Sequence, residues 1–219
     1  MEEKRQQMEM EMPKKDPDHQ FIEALMTDTF SQLRREIVGD QPLITELKSR
    51  WPALFSERQI QAEFKRIVTM DLLSSFLDGL DGLAPTLLEV YKGASRTGKK
   101  PALKGILDCL EKDAHGDTLE EAMKGMQVGL LIGYEGERDA FPQQIFNVAV
   151  VVEETIVFHN LKDVACGFAM LLGLIYCLNL HYPLEMKFSF EFLQRVVLKI
   201  QPDQASAKIQ GLKNKLARR

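Results

Sequence analysis

From Phe21 the apolar positions fall at Phe21, Ile22, Leu25, Met26, Phe30, Leu33, Ile37 and Val38. Steps of three and four place them on one helical stripe. Order is expected to begin near Asp18, and Gly39 supplies a usual helix stop. Pro42 suits the first turn of a short helix through Arg50. Trp51-Pro52 breaks it, because the residue before a proline is pushed out of the α region. Ser56 and Gln59 have capping-box spacing, and Ile60, Phe64 and Ile67 mark one face of the next helix. Leu72, Leu73, Phe76, Leu77 and Leu80 continue the pattern into Asp81-Gly82, where a break is expected. Pro85 then opens another helix with Leu87, Leu88 and Tyr91. A loop over 93–100, a helix over 101–112 and a short one over 118–124 follow.

The period changes near Met126. QVGLLIGY (127–134), IFNVAVVV (145–152) and TIVFH (155–159) are β-branched and apolar and read as strands. Glu153-Glu154 between the last two suggests a hairpin. It lacks the Gly or Asn that a two-residue turn prefers, so a longer, solvated turn is expected. Residues 161–180 form an almost wholly apolar helix, and 188–200 and 204–216 two closing helices. The fold class is α+β: an N-terminal helical half, then a small antiparallel sheet of about three strands packed on a buried apolar helix, then the closing helices. Residues 1–20 hold four basic and six acidic side chains and no drawable apolar face, so they read as a mobile leader. The organisation expected is this leader, a helical region over 21–125, an α+β region over 126–216 continuous with it, and a basic end at 217–219.

The chain's 219 residues are 45% hydrophobic and 27% charged, enough for a buried core without staples. A net charge of -4 places it outside the strongly basic proteins whose charge announces nucleic-acid binding. Cys109, Cys166 and Cys177 are an odd set without a CxxC and read as free buried thiols. With an acidic, polar start that is no signal peptide, they imply a reducing intracellular compartment, cytoplasm or nucleus.

The charge-free run over 164–180 is at the short limit for crossing a bilayer, and it lacks a basic flank. A helix buried against the strands is the better reading, with no membrane contact. GASRTGKK (93–100) comes within one residue of a phosphate-binding loop. Lys100 stands where the hydroxyl is needed, a helix rather than a strand precedes it, and Pro101 follows. A solvated basic loop explains it better than a nucleotide-binding enzyme. The four histidines show no metal-ligand spacing, and Glu153 and Glu154 would point to opposite faces of a strand. No catalytic, metal or cofactor-binding residue is therefore assigned. KFSFEF (187–192) alternates aromatics like an RNA-recognition strand but lacks its glycines, and fits a core helix.

RWPALFSERQIQAEFKRI (50–67) and the block from FNVAVVVEETIVFHNLKDVACGFAMLLGLIYCLNLHYP through FEFLQRVVLKI to LKNKL carry a resemblance. Over about residues 41–216 the chain resembles the C-terminal region of fish proteins of the sterile alpha motif domain-containing protein 3-like family. In that family a sterile alpha motif domain, a small helical interaction module, can precede this region. The resemblance implies no catalytic residues. The functional expectation is a non-enzymatic protein-interaction module with a protein partner. Trp51, Phe55 and Arg58 are its candidate contact residues, because an aromatic pair beside a proline break often anchors a contact. The rival reading is nucleic-acid association through Lys208, Lys213, Lys215, Arg218 and Arg219, with Arg96, Lys99 and Lys100.

Overall fold

The computed structural model describes residues 1–96, 119–135 and 144–217. The helices are α1 (Glu2–Glu11), α2 (His19–Asp40), α3 (Ile44–Arg50), α4 (Glu57–Val68), α5 (Leu72–Arg96), α6 (Leu119–Met123), α7 (Val164–Cys177), α8 (Lys187–Phe192) and α9 (Ala207–Ala217). The strands are β1 (Val128–Glu135), β2 (Gln144–Val152) and β3 (Thr155–Phe158), in one antiparallel sheet of order β1-β2-β3. The α+β class therefore holds, with helices preceding a three-stranded sheet. The expected helix over 101–112 lies outside the described residues.

The chain groups into two compact units, each made of two separate stretches. One comprises Met1–Asp71 and Gly125–Leu180, the other Leu72–Lys124 and His181–Arg219. This grouping differs from a division at residue 125. Strands that follow α5 and α6 in sequence belong to the same unit as the helices from the start of the chain.

In the first unit α7 lies between α4 and the sheet. Ala169, Met170, Leu171, Leu172 and Leu174 are all buried, as a helix covered on both sides requires. Gly167 marks the closest approach: a Cβ there would lie 2.8 Å from Val148 Cγ1. Phe64 of α4 meets Tyr176 of α7 edge to face, ring centroids 5.5 Å apart. Among the described residues no helix is long and apolar enough to cross a membrane.

Local signals set most boundaries. The Asp18 carboxylate accepts from the N–H groups of Gln20 and Phe21, and the Asp163 carboxylate from Cys166. Ser56 Oγ accepts from Gln59 N at 3.3 Å. Gly39 is helical, however, and α2 ends at Asp40, followed by Gln41, whose φ of 47° is left-handed, just before Pro42.

The Glu153-Glu154 turn has two residues, not more, and both are left-handed, with φ of 49° and 57°. Both carboxylates are hydrogen-bonded, Glu153 half-buried and Glu154 exposed. Glu153 Oε2 accepts the N–H of Ile44 at 2.8 Å, closing the start of α3, and Glu154 Oε1 accepts from Gly125 N at 2.7 Å. These bonds, with Glu153 N to Gln127 O and Glu154 N to Met126 O, hold a conformation that costs side chains about 1–2 kcal/mol per residue. Glu153→Ala keeps the strain and loses the cap. Glu153→Gly loses the cap but relieves the strain. Urea unfolding is expected to place the alanine variant about 1 kcal/mol below the glycine variant.

The other unit holds α5, α6, α8 and α9. α5 runs through Gly82 and Pro85 without the expected break. Proline removes one helical donor, and the carbonyl it orphans belongs to Asp81, an exposed residue that water can serve. After α8 the helix widens into a π-type turn over Leu193–Val197. Leu198 N donates to Leu193 O across it, and the Arg195 guanidinium closes its end on the carbonyls of Ile200 and Gln201. Tyr182 stacks on Phe190 at 5.2 Å and donates to Gln194 Oε1. KFSFEF is thus helical, with Phe190 and Phe192 buried and Phe188 exposed.

Candidate interaction surface

Residues 1–20 correct the expectation of a mobile leader. Glu2–Glu11 is a helix packed on α2, and its buried residues are Arg5, Met8 and Glu11. Two of the three are charged, which is why no apolar face shows in the sequence. They are buried because they are paired. Arg5 donates through Nε to Glu2 at 2.7 Å, and through one Nη to Glu9 at 2.9 Å and the Arg50 carbonyl at 2.8 Å. Glu11 pairs with Lys14 and accepts from Asp18 N at 3.0 Å, joining α1 to the start of α2.

Arg50, at the end of α3, completes the network. Its Nε donates to Glu36 Oε2 at 2.8 Å, and its Nη2 to Glu36 Oε1 at 2.9 Å and Glu2 Oε2 at 3.1 Å. Trp51 Nε1 donates to Glu36 Oε2 at 2.7 Å, and Gln32 Nε2 to Glu36 Oε1 at 3.0 Å. The Arg50 guanidinium, with Trp51 and Gln32 adding donors, holds the Glu36 carboxyl down at about 2. Its folded pKa lies below the ordinary 4.5, so its contribution is present above that value and lost as pH falls toward 2. The full span corresponds to about 3 kcal/mol. Urea unfolding measured from pH 6 to about 2 should lose most of that slope in Glu36→Gln.

Above this network lies an open hollow of about 610 Å³ lined by Arg5, Glu9, Thr45, Glu46, Ser49 and Arg50. Two cations and two carboxylates line it, and both cations are already paired. Such a hollow does not concentrate an anion as a phosphate site would, and its carboxylates do not converge as metal ligands would. Thr45, Glu46 and Ser49 are exposed on α3 and offer hydroxyls and a carboxylate to an incoming polar surface.

Trp51 is fully buried, which removes it from the candidate contact residues. Its ring fills the core beneath the break at Pro52, and its one polar atom is bound to Glu36. Phe55 is half-buried. Arg58 is exposed and pairs with Glu23 at 3.0 Å. The three do not form one exposed cluster, although Arg58 remains on the surface.

A second buried polar cluster lies among α2, α4 and α7. Glu63 has no exposure and pairs with Arg66 at 3.0 Å, and Arg34 donates to the Cys177 carbonyl. Burial pushes the Glu63 carboxyl and the Cys177 thiol up. The cysteine is thereby an inert, protonated core group. Cys166 is likewise buried and free, whereas Cys109 lies outside the described residues. Among the described residues no group of His, Cys, Asp and Glu could hold a metal ion.

The lysines of α9 do not make a single patch. At about 100° per residue, Lys208 and Lys215 share one side of the helix. Lys213 falls on the far side of the buried Ile209 and Leu216. Arg96 ends α5; Lys99, Lys100, Arg218 and Arg219 lie outside the described residues.

Residues 1–56 match the family described as Sterile alpha motif domain-containing protein 3, helical domain. The stretch comprises α1, α2, α3 and the following 3-10 turn, and stops at Ser56, the cap of α4. A likeness to that family is therefore shown over residues 1–56, which overlap the expected stretch of 41–216 only at 41–56. It is found at the N-terminal end, in residues that include the supposed leader. No curated protein and no solved structure matches the chain.

Proposed function

We propose that this chain is a non-enzymatic, intracellular protein-interaction module that recognises its partner through the α1/α3 face. The observation that carries this reading is the match of residues 1–56 to the helical domain. Those residues contribute every side chain of the hollow. The chemistry of the hollow supports it. Cations already paired by carboxylates have little to give a free phosphate, while exposed hydroxyl and carboxylate groups around them suit the polar rim of a protein interface. The same chemistry speaks against a nucleotide-using enzyme. The division of the α9 lysines across two sides speaks against a single nucleic-acid track.

Affinity capture from cells tests this, comparing the full chain with a Glu46→Lys/Ser49→Arg variant, each with and without nuclease. Both positions are exposed, but Glu46 Oε2 also accepts from Leu43 N at 3.2 Å, so an unchanged melting temperature must accompany the comparison. Protein partners that survive nuclease and are lost with the variant support the proposal. Partners released by nuclease would favour the nucleic-acid reading. Identical captures by both chains would place recognition elsewhere.

A further inference from the structure

Charge is unevenly distributed along this chain. His181–Arg219 carries eight Lys and Arg against three Asp and Glu, although the whole protein is at -4. The pairing is uneven too. Lys4, Arg5, Lys14, Arg50, Arg58 and Arg66 are all in ion pairs, and all belong to the first unit. Among the described residues of 181–217 no ion pair forms.

Apolar exposure coincides with these unpaired cations. Leu184 is 83% exposed and Phe188, one turn on, is 40% exposed. Lys208 Nζ stands 3.8 Å from the centroid of the Phe188 ring, and Lys187 is exposed beside that phenylalanine in sequence. Two carboxylates are close in sequence. Glu191 is committed to the N–H and hydroxyl of Ser206, and Glu185 is exposed. Phe190 and Tyr182 anchor α8 from behind, so Phe188 is presented on a fixed helix.

We infer that Leu184, Phe188, Lys187 and Lys208 form a second docking face, whose occupant is an acidic peptide segment with a bulky apolar anchor. This rests on the reading of the chain as a protein-interaction module and adds a partner class. The apolar pair supplies burial, and the lysines supply charge complementarity that an acidic segment fulfils. A nucleic acid would use the lysines and the ring but has no use for an aliphatic side chain as exposed as Leu184. Protein is therefore the better fit.

Panning a phage-displayed random peptide library on the full chain tests the inference. The expected consensus places Asp or Glu beside Leu, Phe or Trp. A synthetic consensus peptide should bind about tenfold more weakly to Phe188→Ala and to Lys208→Glu, and weaken as salt rises. Lys213→Glu, on the other side of α9, should bind as the wild type does, and retained melting temperatures establish that the variants fold. No consensus, a consensus without acids, or affinity unchanged in Lys208→Glu would overturn the inference. So would Lys208-dependent binding of a labelled single-stranded RNA in place of the peptide. None of these outcomes bears on capture through the α1/α3 hollow, so the two readings fail separately.

Discussion

Trp51→Ala is expected to cost about 3–5 kcal/mol of unfolding free energy, enough to leave a mesophilic domain largely unfolded at 37 °C. The effect has two parts. The indole is fully buried, and removing it opens a large cavity under the 3-10 turn at Pro52–Phe55. Its Nε1–H is also one of the donors on Glu36. Trp51→Phe separates the parts, because it fills most of the volume and gives up the hydrogen bond. It should cost about 1–2 kcal/mol. Urea unfolding followed by far-ultraviolet circular dichroism decides the matter. A Trp51→Ala protein that lost partners while keeping wild-type stability would return this residue to the interface.

Two glycines three residues apart on α5 are expected to respond in opposite directions. A Cβ at Gly79 would lie 2.3 Å from the Val197 carbonyl oxygen, a backbone atom of the π-type turn that no rotamer change can move aside. Gly79→Ala should therefore destabilise its unit by about 3 kcal/mol. A Cβ at Gly82 meets nothing within 4 Å. There Gly82→Ala gains helix propensity and should stabilise by up to about 1 kcal/mol. Amide hydrogen exchange in α5 and α8 provides the readout for each variant. Equal responses would mean that α5 does not approach the π-type turn as closely as described.

These residues also show what is legible in a sequence. The three strands and the buried α7 were readable because apolar β-branched runs and an uncharged helix announce themselves by composition alone. Caps at Asp18 and Ser56 were readable because the signal is local. α1 was not, since its buried face is made of Arg5 and Glu11 as much as Met8. Their partners include Asp18 and Arg50, which no helical period connects to them. The Glu153-Glu154 turn departs from its sequence pattern for a similar reason: its left-handed backbone is held by the N–H groups of Ile44 and Gly125, remote in sequence. Pro85 reads as a helix start because proline usually is one. Exposure of the Asp81 carbonyl made an interior position tolerable.

The candidate site followed the same pattern. Arg58 is on the surface and Trp51 is not, because an aromatic before proline looks alike whether it points into a core or out of it. Glu36 and Arg50 carry the network beneath the hollow, fourteen positions apart on different helices. No local motif could have singled them out. Glu63 gives the opposite pH sign to Glu36: burial raises its pKa, so its ionisation opposes folding as pH rises above 4.5.

The interleaving of the two units bears on biosynthesis. α4 leaves the ribosome with Phe64 uncovered by its later partner, because Tyr176 of α7, which packs on α4, lies 112 residues further along the chain. Nascent protein must wait for that delivery. During the interval the early helices are natural clients for a chaperone, and translation that stalls before Leu180 would release a sticky, degradable product rather than a working fragment.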